Sequence, residues 1–171
     1  KREDLEHAAN DLEKILESAP VDVHRCEEAA TLFELLGQYD KSLSFWKKSL
    51  SAAPDDQKIK DSIERLELLI RLKRNDSSPE DMIDTLLKVG NVYWKSHDYE
   101  MAIEYYRKIM EKDPGHVVAL SNMGMCYIST GRYEEAIKSI KYLQEHDPDP
   151  QYDEGRRRQL QWLLQMTRRR E

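Results

Sequence analysis

The chain is poor in cysteine, glycine and proline. Its 171 residues include two cysteines, six glycines and six prolines. Cys26 and Cys126 lie 100 residues apart, so we interpret them as small buried apolar side chains rather than as a disulfide or a metal-binding pair. Such sparing use of cysteine favours a reducing compartment, and we expect a cytoplasmic location.

Other absences narrow the classes of function. No run of 18 apolar residues occurs, so we expect no membrane-spanning segment. The scarcity of glycine leaves little for a loop that cradles phosphate, and no nucleophile motif is present. The five histidines show no spacing typical of paired metal ligands. We therefore expect no enzyme activity, no cofactor and no metal site in this sequence.

The composition suits a helical protein with a large surface. Apolar residues make up 39% and charged residues 35% of the chain. The net charge of −6 is spread unevenly, because residues 152–171 hold six arginines against three acids. The rest of the chain is acidic, with 21 basic against 30 acidic residues, so the charge alone does not decide the sign of a partner.

Residues 83–148 contain two copies of one pattern, each 34 residues long. The copies align without a gap, and the aligned residues are of the same type at six positions. These are Gly90 with Gly124, Tyr93 with Tyr127, Tyr99 with Tyr133, Ala102 with Ala136, Ile103 with Ile137, and Pro114 with Pro148. A fixed period of this length indicates helix–turn–helix units that stack on one another.

The aligned residues have a physical role in such a stack. Small side chains at Gly90 and Ala102 let two helices cross closely, and Tyr93 fills the wedge between them. A proline such as Pro114 stops further winding of the second helix. These residues resemble the tetratricopeptide repeat. The resemblance implies an all-α, right-handed α-solenoid with a terminal capping helix, serving as a protein–protein interaction scaffold.

The remaining chain divides into flanking pieces. Residues 1–74 form the N-terminal half: a half-repeat, a degenerate repeat at 22–55 and an amphipathic connecting helix at 56–74. In the half-repeat, Ala8 and Leu12 align with Ser42 and Trp46, and Ser42 stands where alanine is usual. Two tandem repeats occupy 79–149, and 151–171 is the capping helix. Residues 75–79 are interpreted as a linker between the two halves. Ser78 is then the N-cap of the next helix, Pro79 its first residue and Asp81 an acid in its first turn.

Stacking should place the first helices of the repeats along a concave groove. We predict that its partner-binding residues are Lys88, Asn91, Trp94, Lys95, Asn122, Met125 and Arg156. The asparagine amides both donate and accept, so they can bind the backbone of an extended peptide. A tryptophan in a groove is typical of a binding anchor, although Trp94 could instead be ordinary core.

Three readings of the function stay open. The first is a scaffold that binds a partner peptide or helix in the groove. The second is a self-associating subunit that uses the apolar stripe from Ile59 to Ile70 or the terminal helix. The third is a chaperone-type module for acidic C-terminal tails, because Asn91, Asn122 and Arg156 coincide with three of five residues that clamp carboxylates in that family. Leu87 and Tyr152 replace its two lysines.

Nucleic acid is the least favoured partner. Arginine clusters at 156–158 and 168–170 suggest phosphate binding, but only Trp162 accompanies them as a stacking aromatic and the body of the chain is acidic. A solvated helix end that complements the helix dipole explains them better.

Overall fold

A computed structural model describes residues 2–18, 20–74, 78–146 and 150–168, without the side chains of 150–153 and 168. Over these residues the chain is helical and has no strand. The helices are α1 Arg2–Ser18, α2 Val23–Leu35, α3 Tyr39–Ala52, α4 Gln57–Arg74, α5 Pro79–Lys95, α6 Tyr99–Lys112, α7 Val117–Ser129, α8 Tyr133–His146 and α9 Pro150–Arg168. The all-α class predicted from the sequence is confirmed.

The helices form two compact units, Lys1–Asp76 and Ser77–Glu171. In the first unit α1 packs on α2, α2 on α3 and α3 on α4, and in the second unit the same order runs from α5 to α9. Each unit is thus built of antiparallel helices that pack one on the next in chain order. Pro148, residues 75–77 and the side chain of Tyr152, all used in the sequence interpretation, lie outside the described residues.

The same turn closes all three complete hairpins. The second residue after the first helix has a positive φ, at Gly37 (73°), His97 (62°) and Gly131 (72°). The next amide donates to a carbonyl five residues back, as Asp98 N does to Tyr93 O at 2.9 Å. This is the Schellman end of a helix, which favours glycine because a Cβ crowds the left-handed region. His97 fills that position with a side chain whose Nδ1 lies 2.8 Å from the Tyr99 hydroxyl.

The start of α5 follows the prediction made for it. Ser78 Oγ accepts from Asp81 N at 3.1 Å and donates to Asp81 Oδ2 at 2.9 Å. Pro79 is the first helical residue, where its missing N–H costs nothing. The cap and the acid satisfy otherwise unpaired amides at the helix start.

Close helix crossings in the second unit depend on small residues. Gly90, Ala102, Gly124 and Ala136 are all buried, as predicted. The two glycines differ in how much space they have. A Cβ on Gly90 would lie 2.5 Å from Cε1 of Tyr106, whereas a Cβ on Gly124 would meet only Ser139 Cβ at 3.5 Å.

The first unit leaves Ala8 exposed, whereas Ser42, the residue with which it aligns, is fully buried. The register itself agrees, because Ala8 and Ser42 each lie ten residues before the last residue of their helix. Helix α1 packs on α2 and buries Ala9 and Leu16, which lie on a different face from Ala8. Leu12 stays half-buried.

Helix α4 packs against α3 and is tied to α2. Ile59 and Leu66 are fully buried, and Ile70 is nearly so. Arg65 Nη2 donates to Glu34 Oε2 at 2.8 Å, and both side chains are mostly shielded from solvent. The apolar stripe of α4 is therefore used, at least in part, inside the first unit.

Ser42 places a hydroxyl group in a close helix crossing, where it should lower the stability of the fold. Its side chain is fully buried, and Oγ has no hydrogen-bond partner among the described residues. The corresponding residues in the other hairpins are Ala102 and Ala136. We expect Ser42→Ala to raise the free energy of unfolding by about 1 kcal/mol, because it removes an unsatisfied polar group. Urea denaturation followed by circular dichroism measures this, with Ser44→Ala on the exposed face as control. A destabilised Ser42→Ala variant would contradict the prediction.

Candidate functional site

A groove between α5 and α7 brings together five of the seven predicted partner-binding residues. The groove has a volume of about 310 Å³ and is lined by Asn91, Trp94, Lys95, Asn122 and Met125. The first three stand on α5 and the last two on α7. Their shared surface follows from helical spacing, since residues three and four apart lie on one side of a helix.

A network of three side chains forms the floor of the groove. Tyr106 Oη donates to Asn91 Oδ1 at 2.8 Å, and Asn122 Nδ2 donates to the same oxygen at 3.0 Å. Tyr106 comes from α6, is fully buried, and lies beneath Gly90. Burial raises the pKa of the Tyr106 hydroxyl, which therefore remains a proton donor to the asparagine.

Tyr106 was not singled out from the sequence. The signal that could have identified it is a difference between the repeats, because Tyr106 aligns with Ile140. A tyrosine at a core position needs a hydrogen-bond partner for its hydroxyl, and a nearby amide on the facing helix is a suitable one.

The sides of the groove are apolar and exposed. Trp94 is 42% exposed and Met125 is 46% exposed. The alternative that Trp94 is ordinary core is therefore wrong. Gln159 Nε2 on α9 lies 3.5 Å from Met125 Sδ, at the far side of the methionine. Large apolar side chains left in water beside a polar floor are typical of a binding surface.

The other two predicted residues lie elsewhere. Lys88 is exposed and pairs with Asp84 on its own helix, with Nζ 2.6 Å from Oδ2. Arg156 lines a separate small cavity between α7, α8 and α9, which shares Met125 with the groove. Its Nη1 donates to the Leu143 carbonyl at 3.4 Å, in the last turn of α8.

The arginines of α9 make local contacts within the described residues. Besides the bond from Arg156 to Leu143, Arg158 pairs with Glu154 one turn earlier on the same helix. Residues 156–158 lie in the middle of α9 rather than in its last turn, so the helix dipole, expected from the sequence to explain them, does not do so. Residues 168–170, the second arginine cluster, have no described side chains.

Both cysteines are buried free thiols. Burial raises the pKa of the Cys126 thiol to about 11, and the carboxylate of Glu100 adds to the effect. A thiol with so high a pKa is a poor nucleophile. No group of three histidine, cysteine or acidic residues within the described part of the chain is placed to hold a metal ion. Likewise, none of the described helices combines the length and apolarity that crossing a bilayer requires.

Comparison with known proteins gives one family. Residues 93–158 match the model of the tetratricopeptide repeat. Among curated proteins, the chain is 32% identical over 91 residues to the photosystem I assembly protein Ycf3 of Synechococcus sp. (strain CC9605), covering 53% of this chain and 50% of that protein. It is 41% identical over 49 residues to the Hsp70-Hsp90 organizing protein 3 of Arabidopsis thaliana, covering 29% of this chain and 9% of that protein. The chain thus spans half or less of these relatives.

Two solved structures are similar over most of their length. MamA is 21% identical with a TM-score of 0.42, covering 86% of this chain and 91% of that chain. YrrB, described as a TPR protein with an unusual peptide-binding site, is 18% identical with a TM-score of 0.44, covering 91% of this chain and 84% of that chain.

Proposed function

We propose that the chain is a protein-interaction adaptor whose groove over α5 and α7 binds an extended peptide, because residues 93–158 match the tetratricopeptide repeat. The observation that carries this proposal is the polar floor of Asn91 and Asn122 between the exposed side chains of Trp94 and Met125. The relatives named as assembly and organizing proteins are in keeping with such a role.

The floor leaves both donors and acceptors for a peptide backbone. Asn91 Oδ1 already accepts two hydrogen bonds, one for each lone pair. The groups left to a ligand are therefore Asn91 Nδ2 and the second N–H of Asn122 Nδ2, which can donate to peptide carbonyls, and Asn122 Oδ1, which can accept from a peptide N–H. Contacts to the backbone alone hold a peptide without demanding a sequence.

The exposed side chains at the edges of the groove should decide which peptide side chains it prefers. Trp94 offers a flat apolar surface and Met125 a flexible one, so a branched or aromatic residue of the peptide fits between them. Helix α7 carries no lysine, arginine, aspartate or glutamate, and Lys95 supplies positive charge at the groove. The groove therefore favours a peptide that places an apolar residue in the groove and an acidic group beside Lys95.

The adaptor role assigns no catalysis to this groove. Its polar groups are two asparagine amides, the Tyr106 hydroxyl beneath them and the Lys95 side chain, which can bind and orient a peptide. The partner is accordingly a protein or peptide rather than a substrate.

Truncation of Trp94 tests the groove. We expect Trp94→Ala to weaken peptide binding about 30-fold, the size expected for a central aromatic anchor. The probe is a fluorescein-labelled peptide selected on the whole chain from a random phage library, with its Kd measured by anisotropy. Trp162→Ala is the matched control, because Trp162 is equally exposed, at 44%, but stands on α9 outside the groove.

The comparison of the two tryptophans is decisive. Binding that survives Trp94→Ala, or that falls equally with Trp162→Ala, contradicts the proposal. A library that yields no peptide sensitive to Trp94 contradicts it as well.

A further inference from the structure

Two ion pairs join α2 to α4 in the first unit. Glu27 Oε2 lies 2.8 Å from Lys58 Nζ. Seven residues further along both helices, Glu34 Oε2 lies 2.8 Å from Arg65 Nη2. The end of α2, both ends of α3 and the start of α4 lie 60 residues before those of α5, α6 and α7, so the positions of the two units correspond at that offset.

The four corresponding positions of the second unit are all apolar. They are Leu87 with Val118, which we call the outer contact, and Trp94 with Met125, which we call the groove contact. Leu87 is half-buried, whereas Val118 is 50% exposed and both residues of the groove contact are exposed. Apolar side chains thus face water where the first unit has paired charges, which is typical of a surface that binds a partner.

The outer contact lies one helical turn beyond the amide floor. Asn91 is hydrogen-bonded to Asn122, 31 residues further along the chain, and the members of each contact are also 31 residues apart. The outer contact stands four residues before these asparagines and the groove contact three residues after them, so both lie on the same side of α5 and α7 as the floor. Seven residues of helix separate the contacts by about 10.5 Å.

This distance selects the conformation of a bound peptide. In a polyproline II helix, residues three apart lie on one side at about 9.3 Å. In a β-strand, side chains share one side at about 6.6 Å or 13 Å, and neither spacing matches as well. A bound helix would match with residues seven apart, but its N–H and C=O groups are bonded within the helix and could not use the atoms that Asn91 and Asn122 leave for a ligand.

The repeat itself supplies no helix for this surface. Each described helix packs on its neighbours in chain order. A further repeat unit would therefore extend the stack at one end, and it would not cover the side that α5 and α7 share. The surface is left to a segment that is not part of the stack.

We propose that the peptide bound in the groove is a polyproline II segment of a partner protein with two apolar residues three positions apart, one at the groove contact and one at the outer contact. This inference rests on the function proposed above and adds a second point of recognition to it. The amide floor then binds the peptide backbone between the two apolar residues.

Moving the ion pair of the first unit into the second tests the outer contact. The double variant Leu87→Glu, Val118→Lys reproduces the pair of Glu27 with Lys58, which the first unit accommodates at the corresponding positions. The probe is the fluorescein-labelled peptide selected on the whole chain from the phage library. We expect selected peptides to share two apolar residues three positions apart, and the double variant to bind them about tenfold more weakly, as for one apolar side chain no longer buried.

Alanine substitution in the peptide assigns each apolar residue to its contact. On the unmodified chain, alanine at either position should weaken binding about tenfold. On the double variant, only the residue at the groove contact should still matter, because the outer contact is already lost. Val118→Ser replaces the double variant if circular dichroism shows that the latter does not fold. Val117→Ser is its matched control and should leave the Kd unchanged, because Val117 points about 100° away around α7.

The results distinguish this inference from the groove itself. If Trp94→Ala weakens binding and the changes at 87 and 118 do not, the groove stands and the outer contact is wrong. Selected peptides with apolar residues seven apart that are helical when bound would overturn the polyproline II conformation. A dimer of the unmodified chain, seen by light scattering and abolished by the double variant, would assign the surface to a second copy. Binding that responds to neither contact contradicts both proposals.

Discussion

Replacing Gly90 by alanine is expected to lower the free energy of unfolding by about 2 kcal/mol. The new Cβ would lie 2.5 Å from Cε1 of Tyr106, which is too close for two carbon atoms that are not bonded to each other. The ring cannot move aside easily, because it is fully buried and its hydroxyl is hydrogen-bonded to Asn91. We expect overpacking to cost about 3 kcal/mol, partly offset by a gain of about 1 kcal/mol from the better helix propensity of alanine.

Gly124→Ala is the matched control. The aligned glycine of the next repeat has Ile140 in place of Tyr106, and a Cβ there would meet its nearest neighbour at 3.5 Å. Only the gain in helix propensity remains, so we expect this variant to be stabilised by about 0.5–1 kcal/mol. Urea denaturation of both variants measures the difference. Equal effects at the two glycines would show that the contact with Tyr106 does not matter.

A second-site change identifies the cause. In a chain that already carries Tyr106→Ile, Gly90→Ala should behave like Gly124→Ala, because the ring is gone. The double-mutant cycle then yields a coupling free energy of about 2–3 kcal/mol between positions 90 and 106. A coupling near zero would point to backbone strain rather than to the ring.

Asn91→Ala is expected to destabilise the second unit by about 2–3 kcal/mol. The asparagine oxygen accepts from both Tyr106 and Asn122, and only the tyrosine is fully buried. Loss of Asn91 Oδ1 leaves the proton of the buried Tyr106 hydroxyl without its acceptor, and the desolvation of that O–H is then uncompensated. Asn122→Ala should cost less than about 1 kcal/mol, since Asn122 is partly exposed and Asn91 keeps its bond to Tyr106.

The cause is tested by removing the hydroxyl. Tyr106→Phe introduced into the Asn91→Ala chain should restore most of the lost stability, because no unpaired polar group remains. Urea denaturation followed by circular dichroism gives the four values of the cycle. If Tyr106→Phe makes the Asn91→Ala chain less stable still, the hydrogen bond is not the reason for the loss. The same measurement shows which variants stay folded in the binding experiments. Because Asn122→Ala should be less destabilising than Asn91→Ala, it is the better variant for testing the groove.

The site was only partly readable from the sequence. Helical spacing is enough to put Asn91, Trp94 and Lys95 on one side of α5, because a side chain returns to the same face after three or four residues. Whether that side is covered depends on neighbouring helices. The sequence left Trp94 open between anchor and core, and its exposure of 42% excludes the core. The hydrogen bond from Tyr106 to Asn91 Oδ1 was also not predictable from the sequence, since the two residues come together only where α5 crosses α6.

The half-repeat shows the limit of a period. The period places Ala8 at the register of Ser42, yet Ala8 is exposed and Ser42 is buried. A repeat specifies where a residue lies on its helix, whereas its burial depends on whether another helix packs on that face.

By itself the sequence determined that the chain is helical, where the second unit places its close crossings, and which residues start α5. Each of these rests on local chemistry or on a repeat: glycine and alanine at a crossing, a serine cap before a proline, a fixed distance between equal residues. Only the tertiary structure decided how much room each glycine has, which polar atoms of the groove are already used, and that Trp94 and Met125 stay exposed beside them. Those properties belong to atoms brought together from different helices, and their distances follow from packing rather than from position along the chain.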